Sequence, residues 1–189
     1  MSPSRPADLP HTVAPEPVFP VYRLRLQDSA PYNRELGDAF ERLADTPDTH
    51  RSHLFHGRYE NIYPPRKQLP EIEPLIRTVE DAARRILQRR GPLQTGFWFN
   101  RMKPGDVTTL HCHDDDDELL SAVYYLNVPS NSGRLLFHMG SSTLGLAPDA
   151  GTLLLFPPDL LHEVERHRGE GTRLSVAFNI GPGEARRTG

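Results

Sequence analysis

Thr172-Arg173-Leu174-Ser175-Val176-Ala177-Phe178-Asn179-Ile180 reads as a strand with two unlike faces. Successive side chains of a strand point to opposite sides, so Thr172, Leu174, Val176, Phe178 and Ile180 share one face and Arg173, Ser175, Ala177 and Asn179 the other. The first face requires an apolar cover. The second carries a guanidinium and a hydroxyl one strand repeat apart, and either meets solvent or lines a cavity.

Helices that fit the apolar face lie upstream. From Glu71 to Arg90, the residues Ile72, Leu75, Ile76, Val79, Ala82, Ala83, Ile86 and Leu87 form one continuous stripe at helical spacing. Glu71 and Glu73 stand in its first turn, Arg84, Arg85, Arg89 and Arg90 in its last turns, and Gly91-Pro92 stops it. A shorter amphipathic helix is predicted from Asn33 to about Ala44, on Leu36, Ala39, Phe40 and Leu43, after a short strand from Val21 to Leu26.

After residue 93 the period changes. Extended runs near 95–102, 107–112, 120–127, 134–138, 143–147, 151–156, 161–166 and 172–180 are separated by turn signals such as Pro104-Gly105, Pro157-Pro158 and Gly169 to Gly171. Eight short, evenly spaced strands predict a mainly β fold, a double-stranded β-helix or jelly roll, with the N-terminal helices packed on one sheet. The expected organisation is a flexible proline-rich arm over 1–20, which holds six prolines, a helical part over 21–92, the jelly-roll core over 93–182 and a tail over 183–189.

Composition narrows the function. The chain has 189 residues, 37% of them hydrophobic, and a net charge of -3, so nothing draws it electrostatically to nucleic acid or an anionic membrane. No apolar run approaches the roughly 20 residues of a membrane span, and no secretory h-region opens the sequence. The single cysteine, Cys112, rules out an internal disulfide framework and suits a reducing cytoplasm. The expected partner is a small molecule or a peptidyl substrate.

Among nine histidines, a few stand out. His50, His53 and His56 recur every three residues without a clustered carboxylate and read as loop or pocket wall, while His138 and His167 read as surface or strand-end residues. His111 and His113 close a strand and run into Asp114-Asp115-Asp116-Asp117-Glu118; His162 follows the buried run Gly151 to Phe156 and the turn at Pro157-Pro158. Two imidazoles and one carboxylate, as in His113-Asp114-Asp115 with His162, could hold a non-haem iron and leave its other positions open. Arg173 could then hold an acidic cosubstrate.

In order and spacing these residues resemble the 2-oxoglutarate and iron(II) dependent dioxygenases, particularly the prolyl-hydroxylase-like branch. The resemblance rests on His113-Asp114-Asp115, Tyr124-Tyr125-Leu126-Asn127, Gly133-Arg134-Leu135-Leu136-Phe137, Gly151 to Pro157, His162 and Arg173-Leu174-Ser175, and covers roughly residues 95 to 181. It implies that His113, Asp115 and His162 bind Fe(II), that Arg173 pairs with the distal carboxylate of 2-oxoglutarate, and that Ser175 and Tyr125 add hydroxyls to the same cosubstrate. It further implies consumption of O2, release of succinate and CO2, and hydroxylation of an amino acid or peptidyl side chain. Burying Arg173 without an anion would be costly, and a cosubstrate carboxylate satisfies its donors, so the polar face of 172–180 is expected to line a cavity. Trp98, Asn100, Arg134 and some of residues 50–63 are expected substrate walls.

The family pattern is not followed throughout. His111 makes an H-x-H that common members lack, and the aspartate run offers substitutes for Asp115. A bacterial branch writes this region as H-x-H followed by S-G-V-Y-Y, and counting back from Tyr124 aligns His113 and Asp115, rather than His111, with its ligands. A cupin-type metal protein is the competing reading: Gly105, His111, His113 and Glu118 match the first cupin spacing, with His162 as the fourth ligand. That reading gives Arg173 and Ser175 no role. A catalytically inactive binding domain of the same fold is a further alternative.

Overall fold

The computed structural model describes residues 14–113 and 117–183. Residues 1–13, most of the expected arm, lie outside that range, as do Asp114, Asp115 and Asp116 and the end of the expected tail. Among the described residues, twelve strands form two sheets facing one another. They are β1 (Glu16–Val18), β2 (Val21–Arg25), β3 (His50–Phe55), β4 (Arg58–Tyr63), β5 (Leu93–Met102), β6 (Thr108–His111), β7 (Leu120–Asn127), β8 (Leu135–Met139), β9 (Ser142–Leu146), β10 (Thr152–Phe156), β11 (His162–Val164) and β12 (Arg173–Pro182). The larger sheet has the order β1-β2-β10-β7-β12-β5-β4-β3 and the smaller one β6-β11-β8-β9.

All eight strands expected after residue 93 are present, each within a few residues of its predicted bounds. The N-terminal part departs from the expectation. Glu16–Val18 is not an arm but an edge strand paired with β2. Residues 50–63, read as a link, form a hairpin that extends the large sheet by two strands. Its two-residue turn, His56-Gly57, has φ of 48° and 78°. Two positive φ values match the twist of a tight hairpin. Glycine after His56 was the available signal, masked by the histidines around it. The region 21–92 is therefore both helical and part of the sheet.

Two helices cover one face of the large sheet: α1 (Ala30–Leu43) and α2 (Glu73–Leu87). The α2 stripe, Leu75, Ile76, Val79, Ala82 and Ala83, is buried in one core with Leu36 and Phe40 of α1 and with Phe99, Tyr124, Leu153, Val176 and Phe178 of the sheet. α2 ends before the predicted Gly91 because Gln88 takes a left-handed conformation and its N–H bonds the carbonyls of Arg84 and Arg85. A second, smaller core, including Tyr125, Leu154, Phe156, Leu135 and Phe137, fills part of the space between the sheets. Alternation along β7 and β10 sends neighbouring residues to these two cores, and alternation along β12 sends them to the first core and to the cavity. The rest of the space between the sheets is a cavity.

Candidate active site

The cavity holds about 400 Å³, and its wall includes Trp98, Asn100, His111, His113, Tyr125, His162, Arg173 and Ser175. Arg173, Ser175, Ala177 and Asn179, the polar face of β12, all line it, while Leu174, Val176, Phe178 and Ile180 face the helices. At the junction of β7 and β12 the register shifts between Leu174 and Ser175. This irregularity sets Tyr125 directly opposite Ser175, so a phenol, a hydroxyl and the Arg173 guanidinium gather at one end.

Arg173 is only 2% exposed. Its Nη1 donates to the carbonyls of Ser132 (3.1 Å) and Gly133 (2.9 Å). Gly133 has a φ of 86°, and any Cβ there would collide with the Glu165 carbonyl oxygen, so only glycine lets this turn close over the arginine. The guanidinium carbon lies 5.1 Å from the Tyr125 ring centroid, a cation–π contact. No carboxylate pairs with Arg173 among the described residues, and burial pulls its pKa below the ordinary value. Its Nε and the Tyr125 hydroxyl are both buried and, although the two side chains attract one another, neither atom makes a hydrogen bond of good geometry among the described residues. Burial likewise pushes the Tyr125 pKa up, which keeps the phenol protonated. An uncompensated buried cation beside a phenol without a well-formed hydrogen bond is costly, and a ligand carboxylate relieves both.

Histidines occupy the site as well. His162, at the start of β11, pairs directly with His111 at the end of β6, and the backbone N–H of His113 donates to the Pro158 carbonyl (2.7 Å). The proline turn before His162 thus holds the two strand ends together. The ligand nitrogens of His111, His113 and His162 all lie within 4.8 Å of one another. Burial, with the neighbouring His111, lowers the pKa of His113 to about 4 and that of His162 to about 3. Both rings are neutral at pH 7, as metal ligation requires. The described part of the site therefore fits a first-row metal ion at one place and an acidic ligand at another.

Of the residues singled out in the sequence, His113, His162, Arg173, Ser175, Tyr125, Trp98 and Asn100 share this cavity. Asp115 lies outside the described residues. Arg134 is not a wall of the cavity: its guanidinium is engaged by the Glu165 carboxylate at 2.9 and 2.8 Å, beside a separate surface recess. Glu118, required by the cupin reading, accepts from Asn179 Nδ2 (3.1 Å) and is not in the clustered histidine set. His167 is not a surface residue but buried, with Nδ1 accepting from the Gly169 N–H. His53, Glu60, Asn61 and Tyr63 of the β3–β4 hairpin also line the cavity. Sequence reasoning named this stretch only as a range, because the hairpin that turns these residues inward was read as a link.

A jelly roll with a histidine cluster and a buried arginine between its sheets fits the site expected from the resemblance to iron- and 2-oxoglutarate-dependent oxygenases. Residues 97–181 match the family model described as the 2OG-Fe(II) oxygenase superfamily. Members use Fe(II), 2-oxoglutarate and O2. A prolyl-4-hydroxylase from Pseudomonas putida has a similar fold, with TM-score 0.63 and 20% identity over 87% of this chain and 93% of that one. A prolyl hydroxylase from Trichoplax adhaerens, solved with a hypoxia inducible factor peptide fragment, gives TM-score 0.65 and 16% identity over 86% and 83% of the two chains. HygX from Streptomyces hygroscopicus, solved with nickel and 2-oxoglutarate, gives TM-score 0.63 and 17% identity over 86% and 82%. No curated protein sequence matches the chain. No helix among the described residues is long and apolar enough to cross a membrane.

Proposed function

We propose that this oxygenase hydroxylates an amino acid or peptidyl side chain, with release of succinate and CO2. The observation that carries the cosubstrate assignment is the buried Nε of Arg173 beside the Tyr125 hydroxyl, neither with a well-formed hydrogen bond among the described residues. Arg173 would hold the distal carboxylate of 2-oxoglutarate, with Ser175 and Tyr125 as further donors. His113, Asp115 and His162 would hold the iron, and His111 lies beside the two histidines. When bound, iron and 2-oxoglutarate supply the oxidising chemistry; the chain orients the reactants and keeps the site dry. Trp98, Tyr63, Asn100 and Asn61 form the wall against which a side chain would lie. The two prolyl hydroxylases of similar fold support a peptidyl or amino acid substrate. The single cysteine suits a reducing compartment such as the cytoplasm.

A ligand that binds only the folded state stabilises it by about 2.7 kcal/mol at a hundred times its Kd. Adding Ni(II) and 2-oxoglutarate together is therefore expected to raise the melting temperature beyond Ni(II) alone. No such increment would overturn the assignment. The substrate class is tested by screening amino acids and peptides with Fe(II) for substrate-stimulated succinate formation by mass spectrometry.

A further inference from the structure

We propose that His53 and Tyr63 of the β3–β4 hairpin bind a carbonyl or carboxylate oxygen of the substrate, donating to it from the imidazole Nε2 and the phenol hydroxyl. Asn61 and Asn100 act as positioning residues that leave both protons free for it. The proposal rests on the oxygenase reading above and specifies the chemistry by which that site holds its substrate.

The hairpin reaches the site through β4, whose Ile62 packs in the core shared with the helices while Asn61 and Tyr63 line the cavity with Asn100 of β5. The Tyr63 ring centroid lies 6.0 Å from that of Trp98, and Trp98 lies 5.5 Å from His113. One indole therefore separates the phenol from the metal end of the site. His53 joins by a departure from regular backbone. Ser52 and His53 are consecutive and would face opposite sides of an extended strand, but His53 has a φ of 55°. Histidine is among the residues that adopt this left-handed region, at some cost in strain. Its ring meets Ser52 and Asn61 and lines the cavity.

A chain of hydrogen bonds that starts at a backbone carbonyl fixes the polarity of this cluster. Asn100 Nδ2 lies 2.7 Å from the Glu60 carbonyl oxygen, and a carbonyl can only accept, so this end of Asn100 is the NH2 group. The same group donates to Asn61 Oδ1 (3.3 Å). Asn61 must then turn its own NH2 to His53 Nδ1 (3.1 Å) and to the Tyr63 hydroxyl oxygen (3.2 Å). Ser52 Oγ stands 2.8 Å from His53 Nδ1 and 3.4 Å from the Tyr63 hydroxyl. His53 Nδ1 is therefore an acceptor, and the ring proton sits on Nε2. The Tyr63 oxygen accepts from the hairpin and keeps its own proton to give. Among the described residues neither proton has an acceptor. The Glu60 carboxylate on the same wall is engaged by Arg58 (3.1 Å). Two donors held in this way fit an oxygen with lone pairs and reject an ammonium group, and both a peptide carbonyl and the carboxylate of a free amino acid supply such an oxygen.

The test presents each common amino acid in three forms, the free acid, the N-acetyl amide and the decarboxylated amine, to the protein with Fe(II) and 2-oxoglutarate, and reads stimulated succinate formation by mass spectrometry. An acid or an amide is expected to stimulate, and its amine to do so about tenfold less or weaker still, the loss of hydrogen bonds to one oxygen. Tyr63→Phe removes one hydroxyl, and His53→Asn removes the imidazole while keeping a residue that accepts a positive φ. Each should raise KM for the stimulating compound, by about tenfold or more for an acid and by about 2- to 10-fold for an amide, since hydrogen bonds to a charged group are the stronger. Asn61→Leu should raise KM in the same way with kcat nearly unchanged, which a general disordering of the site would not do. Melting shows whether each variant is folded; for one that is not, the comparison of acid, amide and amine on the wild type decides. Amines as effective as their acids and amides, no stimulation by any acid or amide, or an unchanged KM in folded Tyr63→Phe and His53→Asn would overturn the proposal. If 2-oxoglutarate with Ni(II) still raises the melting temperature in any of these cases, the donor assignment fails alone; if it does not, the oxygenase reading fails with it.

Discussion

Tyr124 and Tyr125 are adjacent, fully buried and on opposite faces of one strand. Tyr124 looks towards the helices, where its hydroxyl donates to Asn33 Oδ1 at 2.7 Å, and Asn33 Nδ2 in turn donates to the Leu126 carbonyl. Tyr125 looks into the cavity, where its hydroxyl has no well-formed hydrogen bond among the described residues. On the helix face every polar group at this point is satisfied and the packing is apolar. On the cavity face a phenol and a cationic side chain are buried incompletely paired. The helix face stabilises the protein, and the cavity face holds unmet interactions that a ligand completes.

The comparison can be broken at either face. Phe178→Ala on the helix face is expected to cost about 3–5 kcal/mol of stability, the range for truncating a buried aromatic, measured by denaturant unfolding. Arg173→Met on the cavity face should do the reverse. It removes an uncompensated charge, so the ligand-free protein melts at the same temperature or a few degrees higher. The same variant abolishes the 2-oxoglutarate increment in melting temperature, since truncating one member of a buried charge pair costs about 2–5 kcal/mol of binding. A large loss of stability without ligand would show that Arg173 is structural.

The tyrosines give a finer contrast. Tyr124→Phe leaves the Asn33 carbonyl oxygen unpaired and is expected to cost about 1–3 kcal/mol of stability with no change in cosubstrate affinity. Tyr125→Phe should leave stability unchanged and weaken 2-oxoglutarate binding, read by the same titration. Identical responses would erase the distinction between the faces.

Protons act on the cavity face. His113 and His162 have folded pKa values of about 4 and about 3, below the ordinary 6.5. As pH falls through the ordinary value, the unfolded chain takes up protons that the folded chain refuses, so stability falls with pH until the folded values are reached. Between pH 7 and 5 the metal-free protein should therefore lose stability, and His162→Gln should flatten that slope. The smallest effect is expected at Arg134, whose pairing with Glu165 is on the surface. Arg134→Ala should leave turnover and cosubstrate binding unchanged.

Much of this was legible in the chain. The alternation over 172–180 foretold a two-faced strand, and the stripe from Ile72 to Leu87 foretold the helix that covers it, because both periods are local properties of the backbone. The hairpin at 50–63 was missed because its turn signal, His56-Gly57, sits among histidines that suggested chemistry. Arg134 was assigned to the cavity from its place in the Gly133 motif, yet the nearest countercharge, Glu165, lies 31 residues away in sequence and engages it at the surface.

By itself the sequence determined the class: the order of histidines, tyrosines, glycines and Arg173 specifies a jelly roll that binds a metal and an acidic cosubstrate. Only the tertiary structure decided which histidines meet. Counting along the chain aligns His113 with the first histidine of the family pattern, and contour length alone cannot show that His111 joins the same cluster. Strand pairing across β6 and β11 sets His111 against His162, and that proximity depends on register between segments fifty residues apart.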